Sequence, residues 1–259
     1  MKASDRHRAI LELVRARDTN VEQLSAALGV SEATVRRDLT MLAKQRHLVR
    51  THGGATALVG VHEPEASLEE RKASQRDQKE AIARAAAAHV QDGDTVLLDG
   101  GTTCAALAVH LYSRQNIHVV TNNLLAVMTL ANAPGVQLTL IGGDLRGSSM
   151  STLGPLAELS LSRLSVDKAF LGADGVVADF GLCEASAQQA YLKECIIKRA
   201  AQVIVLADSQ KLGRARQQHW TPIEREWLLI TSAADEAELA AFRAVKDVTV
   251  QVVECAASE

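Results

Sequence analysis

The stretch 19–39, TNVEQLSAALGVSEATVRRDL, places the tightest limits on how this chain can fold. It divides into two short amphipathic pieces around a corner. In the first, Val21, Leu24 and Leu28 recur at i, i+3 and i+7, which makes one apolar face of a helix. Gly29 supplies the residue that enters the left-handed region without steric cost, as a helix end favours. Ser31 can cap a second helix by accepting from a free first-turn amide. In that second helix Val35, Leu39 and Leu42 face inward at i, i+4 and i+7, and Arg36, Arg37, Thr40 and Lys44 point outward. Two short helices joined by a glycine corner, the second presenting paired arginines, predict a helix-turn-helix at about 20–39 whose second helix fits a DNA major groove.

An ordinary helical hairpin with a solvated basic face shares this pattern, so the flanks decide. Upstream, Ile10, Leu13, Val14 and Arg17 predict a preceding helix. Downstream, residues 47–54, HLVRTHGG, read as a short strand ending at two glycines, the wing of a winged helix. SEATVRRDL followed by LVRTHGGA resembles the DeoR family of bacterial transcriptional regulators, and the likeness spans residues 4–56. It departs at Arg46-His47, where family members usually carry a glycine. The resemblance implies an N-terminal winged helix-turn-helix and a C-terminal sugar-phosphate sensor. Candidate DNA-binding residues are Ser31, Thr34, Arg36, Arg37 and Thr40 on the recognition helix, with Lys44, Arg50 and His52 placed to meet backbone phosphates.

Length and charge agree with two domains. The chain has 259 residues, and 47% apolar content supports a sizeable core. Its net charge of −3 argues against nucleic acid until the distribution is considered. Residues 1–52 hold 10 Lys and Arg against 6 Asp and Glu, whereas the remainder holds 18 against 25. A basic head on an acidic body suits a DNA-binding module joined to a metabolite-sensing one. Cys104, Cys183, Cys195 and Cys255 lack CxxC or metal-ligand spacing and read as reduced, inert thiols of a cytoplasmic protein. No apolar run approaches the ~20 residues of a membrane span, and no signal peptide is apparent.

The expected division is a head over residues 1–56, a linker over 57–75 and an effector domain over 76–259. Gly60, Pro64 and the run Glu69-Glu70-Arg71-Lys72 mark the linker, in which Arg71 or Lys72 could reach a ligand phosphate, although solvated charge is the simpler reading. Gln78 to Val90 predicts a helix. Strands follow at 95–98, 117–120, 136–141, 169–171, 203–206, 227–230 and 248–253, alternating with helices. Solid Val, Ile and Leu runs of this kind predict a largely parallel sheet covered on both faces, and so an α/β fold.

Polar residues collect just past the carboxyl ends of these strands: Asp99, Asn122, Gly142-Gly143, Asp174 and Asp208. In open α/β sheets ligands bind at that edge. The loop DGGTT adds a mechanism, because its glycines let amides approach an anion while two threonine hydroxyls and a helix N-terminus favour negative charge. Taken singly, each loop is explained by capping and turn chemistry; five on one edge are harder to explain that way. The candidate effector set is Lys79, Asp99, Gly101, Thr102, Thr103, Asn122, Gly142, Gly143, Asp174, Asp208 and Lys211.

There is no GxxxxGK[ST] loop and no GxGxxG after a strand. The DGGTT, GADG and LADSQKLG loops instead resemble the DeoR sensor domain over residues 76–230, which is itself similar to ribose-5-phosphate isomerase. Gly100, Gln210 and Leu212 stand where Ser, Ser and Phe are common in the family. In the isomerases a carboxylate of the GAD loop works with a lysine in a glycine-rich loop and a glutamate beyond it. Asp174 is kept, but DFGLCEASAQQAYLKE lacks that glycine-rich lysine segment, so the proton relay is incomplete. The resemblance therefore implies a regulator, usually a repressor, with no catalytic residues, metal or cofactor. Its partners are operator DNA and a phosphorylated sugar, and it is expected to form a homo-oligomer, dimer or tetramer, since helix-turn-helix proteins read paired half-sites. An active sugar-phosphate isomerase or deaminase with a DNA-binding head, and a helical protein adaptor, are the alternatives.

Overall fold

The computed structural model describes residues 3–16, 19–44, 48–51, 54–57 and 64–255. The head runs α1 (Ala3–Ala16), β1 (Thr19–Asn20), α2 (Val21–Leu28), α3 (Glu32–Lys44), β2 (Leu48–Thr51) and β3 (Gly54–Ala57). Its corners follow from local chemistry. Asn20 and Gln23 cap α2 reciprocally, each side chain accepting from the other's amide, at 2.7 and 3.2 Å. Gly29 ends α2 at φ 64° and ψ 34°, and Ser31 accepts from the Thr34 amide at 3.3 Å to start α3. Ile10, Val14, Val21, Leu24, Val35, Leu39 and Leu42 are buried together with Leu48 and Ala55. The strands pair antiparallel in the order β1-β3-β2, so the wing is a hairpin extended by the two residues that precede α2. A Cβ on Gly54 would lie 2.2 Å from the Thr19 carbonyl oxygen, which restricts this crossing to glycine.

Periodicity did not reveal Asp38, which is only 3% exposed on the inner side of α3. Two guanidinium nitrogens of Arg6 donate to its carboxylate, and His7 lies 3.0 Å from it, which ties α1 to the recognition helix. Burial alone would raise this carboxyl, but Arg6 and His7 outweigh it and hold it below the usual range.

The second domain continues as α4 (Leu68–Ala73), α5 (Arg76–Ala87), β4 (Thr95–Leu98), α6 (Thr102–Leu111), β5 (Ile117–Thr121), α7 (Leu124–Leu130) and β6 (Val136–Leu140). Next come β7 (Asp144–Arg146), β8 (Ser151–Leu153), α8 (Pro155–Ser162), β9 (Val166–Leu171), β10 (Gly175–Val177), β11 (Gly181–Glu184) and α9 (Ala187–Arg199). The domain closes with β12 (Ala200–Ala207), β13 (His219–Thr221), β14 (Trp227–Ser232), α10 (Glu236–Arg243) and β15 (Val248–Val253). Seven strands form a parallel sheet in the order β15-β14-β12-β9-β4-β5-β6. Successive strand residues feed opposite faces: Leu97, Leu171 and Leu229 join one core, and Val96, Leu98, Phe170 and Ile230 the other. That is why these strands read as unbroken apolar runs. From β4 the order grows through β5 to β6, then returns to β9 on the other side of β4. The reversal between β4 and β9 is the topological switch point.

Two features lie outside the sequence expectation. Two small antiparallel sheets, β7-β8 and β10-β11-β13, stand apart from the main sheet. The span expected as a linker contains α4, capped reciprocally by Ser67 and Glu70. Its Arg71 is not a solvated charge; the side chain is 16% exposed and its Nη2 donates to the Ser148 carbonyl of the β7–β8 turn. Among the described residues no helix is long and apolar enough to cross a membrane.

Candidate functional site

A cleft opens at the switch point, between the loops that follow β4 and β9. Gly100 and Gly101 lead from β4 into α6, and Gly101 holds φ 120°, which an L side chain rarely adopts. Thr102 and Thr103 therefore begin α6 with first-turn amides that have no acceptor within the helix. The loop is fixed from below by Asn123. Its side-chain amide donates to the Asp99 and Gly101 carbonyls at 3.1 and 2.9 Å, while its oxygen accepts from two first-turn amides of α7. Opposite, Gly172, Ala173 and Asp174 leave β9. Lys211 reaches across to the Ala173 carbonyl at 2.6 Å, and Asp174 accepts from the Ala185 amide at 3.3 Å. Thus Gly101, Thr102, Thr103, Asp174 and Lys211 of the expected set converge on one cleft.

Asp99 lies one layer beneath, 3% exposed, and accepts from Lys193. Lys193 also donates to the Gly172 carbonyl at 2.9 Å and lies 3.2 Å from Glu184. One buried ammonium is set between two buried carboxyls. Burial pushes the Glu184 carboxyl up to about 8 against the pull of Lys193, with Asp174 and Asp99 adding to the rise. Burial also opposes the charge on Lys193, but Asp99 and Glu184 outweigh it and raise its ammonium above the ordinary lysine range. At neutral pH Lys193 is therefore cationic and the Glu184 carboxyl beside it protonated. The cleft then carries a positive surplus, from Arg71 and Lys211 against Asp174.

Five expected effector residues stand elsewhere. Lys79 is buried and donates to the Arg71 and Ser74 carbonyls, so it secures the end of α4; burial, with Lys211 nearby, pushes its ammonium down to about 8. Asn122 donates to the Thr152 carbonyl at 3.1 Å and anchors β8. Gly143 packs where an added Cβ would lie 2.3 Å from the Leu153 carbonyl oxygen, and Gly142 leads into that crossing without lining the cleft. Asp208 precedes the turn 209–211, where its carbonyl accepts from the Lys211 amide at 3.0 Å. Each position at a strand end serves the chain's own turns. The pattern had overlooked Ser149 and Gln189, assigned no role to Glu184 and Lys193, and favoured a solvated reading of Arg71, yet all five line the cleft. A signal existed for Lys193, since it falls three and four residues before the buried Ile196 and Ile197 on the apolar side of α9. The buried Cys104 thiol, pushed up to about 12 by burial and Asp99, is protonated and inert.

On the head, Ser31, Arg36, Arg37 and Thr40 are exposed and Thr34 is half-buried along α3. Arg36 pairs with Glu32 one turn earlier at 2.8 Å, an exposed contact that adds little stability and opens readily to a better acceptor. Lys44 and Arg50 lie within α3 and β2; their side chains, like the whole of His52, lie outside the described residues, as does the Arg46-His47 departure.

A winged helix-turn-helix with an arginine-bearing helix, followed by an α/β domain with an anion-suited cleft at its switch point, defines a ligand-responsive DNA-binding regulator. The chain belongs to the DeoR family of transcriptional regulators: residues 6–59 match the DeoR-like helix-turn-helix domain and residues 74–233 the DeoR C terminal sensor domain. It is 35% identical over 253 residues to the uncharacterized HTH-type transcriptional regulator YulB of Bacillus subtilis (strain 168), covering 97% of this chain and 96% of the relative. It is 35% identical over 219 residues to the glycerol-3-phosphate regulon repressor of Escherichia coli (strain K12), covering 83% and 84%. Among solved structures, ribose 5-phosphate isomerase A from Methanocaldococcus jannaschii aligns over 53% of this chain and 55% of its own, at 22% identity and a TM-score of 0.40, a likeness too loose to transfer any residue's role.

Proposed function

We propose that this protein is a repressor of a carbohydrate-metabolism operon, acting in the cytoplasm as a homo-oligomer on nucleoid DNA, and that a phosphorylated sugar binding the switch-point cleft changes its affinity for the operator. One observation carries the reading: the start of α6, Gly101 to Thr103, faces the same cleft as Lys211 and Arg71. Helix amides, two hydroxyls and two cations make a seat for a phosphate, and Asp174 opposite can accept from sugar hydroxyls. In the head, Arg36 and Arg37 read bases, with Ser31, Thr34 and Thr40 beside them, while Lys44, Arg50 and His52 meet the backbone. The names of relatives support the class of ligand and the sign of control, since they include the glycerol-3-phosphate regulon repressor and the lactose phosphotransferase system repressor of Streptococcus mutans serotype c.

The protein is proposed to bind its sugar without turning it over. Lys193 is buried and engaged by Asp99, Glu184 and the Gly172 carbonyl, which leaves it a structural cation rather than one poised against substrate. The test is retardation of the promoter fragment beside the gene, with and without triose, pentose and hexose phosphates and their unphosphorylated counterparts. The expected result is specific retardation that one phosphorylated sugar alters and its plain sugar does not. Equal response to both, or turnover of the phosphate by pure protein, overturns the reading.

A further inference from the structure

The proposed function places Arg71 beside the phosphate but leaves its partner Glu65, and the Arg146 that shares Glu65, without a role. Glu65 lies eight residues beyond Ala57, the last residue of the wing, and just before the Ser67 cap of α4. Its side chain is 15% exposed. Arg146 grips it with both guanidinium amino groups, Nη1 at 3.0 Å from Oε1 and Nη2 on Oε2, and the Ser148 hydroxyl donates to Oε2 at 3.4 Å. Arg71 approaches the same carboxylate more loosely, with Nη1 3.4 Å from Oε1. Burial alone would raise the Glu65 carboxyl, but Arg146 and then Arg71 outweigh it and keep the group ionised.

Arg71 is held on two sides and open on a third. Its carbonyl accepts from Lys79 and, at 3.5 Å, from the Thr102 hydroxyl, so its backbone is joined to the start of α6. Arg71 lines the cleft together with Gly101 and Thr102. Yet its Nε is buried without an acceptor, and buried donors of this kind are rare enough to require an explanation. A dianionic group at the α6 N-terminus would meet the guanidinium fork with more charge and more acceptors than the single Glu65 oxygen now near it.

We infer that Glu65 is a built-in competitor for the Arg71 of the proposed seat: an anion at the start of α6 draws Arg71 away from Glu65 and so loosens residues 64–68, which lead into α4. The inference rests on the proposed phosphate seat and adds to it the residue that reports occupancy. Glu65 then keeps Arg146 alone, and the chain leading from the wing loses one of its two cationic anchors. Coupling needs an element with two arrangements that ligand and DNA both bias. Arg71 paired with Glu65, or with the phosphate, is such an element.

The test uses the full chain and inorganic phosphate as probe, titrated by calorimetry, with hydrogen exchange across residues 64–72. Glu65→Gln keeps the shape and an acceptor for Arg146 but removes the competing charge. It should bind phosphate about fivefold more tightly, the factor that roughly 1 kcal/mol of partly exposed ion pair represents. Arg71→Gln should weaken phosphate binding and erase the advantage of Glu65→Gln in the double variant. Arg71→Lys, which keeps the charge and loses the fork, serves where the glutamine variant folds poorly, and should fall between. In wild type, phosphate should speed exchange at residues 64–68. Phosphate binding that Thr102→Asp abolishes but Glu65→Gln leaves unchanged overturns the exchange and spares the seat. No phosphate binding by wild type or Glu65→Gln overturns both.

Discussion

Replacing Lys193 with Met tests the centre of the sensor. Methionine fills the same channel and removes only the charge and its donors. The substitution leaves Asp99 and Glu184, 3% and 2% exposed, without the cation between them. Removing one partner of a buried pair costs about 3–5 kcal/mol, because the other charge stays buried and uncompensated. For a domain of this size 1 kcal/mol corresponds to about 2–4 °C, so the sensor transition should fall by roughly 6–20 °C. Glu184→Gln should behave in the opposite way. The Glu184 carboxyl is raised to about 8, so its contribution is fully present below the usual carboxylate range and is lost as pH rises through about 8. The glutamine variant lacks that loss, so its melting temperature should gain on wild type from pH 5 upward and level off above pH 8. The slope cannot exceed about 1.4 kcal/mol per pH unit for one proton. Differential scanning calorimetry between pH 5 and 9 reads both variants. A Lys193→Met loss of only a degree or two, or a Glu184→Gln difference that ignores pH, would refute the picture of one ammonium shared by two buried carboxyls.

Further substitutions probe the head and the sensor separately. Thr102→Asp places a fixed negative charge in the phosphate seat at a helix start that tolerates it, so the variant should still retard its operator and lose its response to the sugar phosphate; a retained response in a gel-shift titration moves the phosphate elsewhere. Arg36→Ala or Arg37→Ala should cost about 1–3 kcal/mol on the operator and little on random DNA, whereas Asp38→Ala, which frees α1 from α3, should lower binding to both alike; equal losses for all three in fluorescence anisotropy would remove the arginines from the groove. Gly100→Ser brings the residue common in the family into a site where its Cβ meets the Ser151 Cβ at 3.0 Å, so thermal melts should show a loss of about 1–3 kcal/mol, partly recovered by Ser151→Gly; an unchanged melting temperature would mean that the β8 strand yields freely.

The parts legible in the sequence are those whose cause is local. The helix-turn-helix was readable because Val35, Leu39 and Leu42 keep the helical period, and because Gly29 and Ser31 answer to backbone geometry within four residues. The five inner parallel strands were readable because a strand buried on both faces has no polar side to show, whereas the edge strands β6 and β15 carry Gln137, Thr139, Thr249 and Gln251. Asp38 escaped because its partners lie 31 and 32 residues away in α1, a distance over which periodicity carries nothing. Strands of three residues, such as β7 and β8, are too short to display a period at all. At the site, the position after a strand end marked the edge where the cleft opens but did not separate residues lining the cleft from those holding the turns. Asn122 and Asp208 have the same chemistry whichever they do. The cations told least: Lys79 sits where a ligand-binding lysine would stand yet holds α4, while Arg71, in an apparently solvated run, turns into the cleft.

That exchange of places gives the coupling a physical route. The start of α6 is joined to α4 by the Thr102 hydroxyl on the Arg71 carbonyl, α4 to α5 by Lys79, and the residues preceding α4 to the β7–β8 turn by Glu65. On the proposed exchange, a ligand at the α6 N-terminus would act on residues 64–68 without any change in the seven-stranded sheet. Close-packed cores resist small deformations, whereas a loosely made ion pair such as Arg71–Glu65, at 3.4 Å, changes partner more easily. A switch placed in Glu65 and Arg71 can thus move on binding energies of a few kcal/mol, which the cores of Leu97 and Val96 would not permit. Linkage then requires reciprocity: if sugar phosphate changes operator affinity by some factor, operator must change sugar-phosphate affinity by the same factor. With Glu65→Gln both factors should shrink together, since a pair that no longer competes cannot report which state the cleft is in.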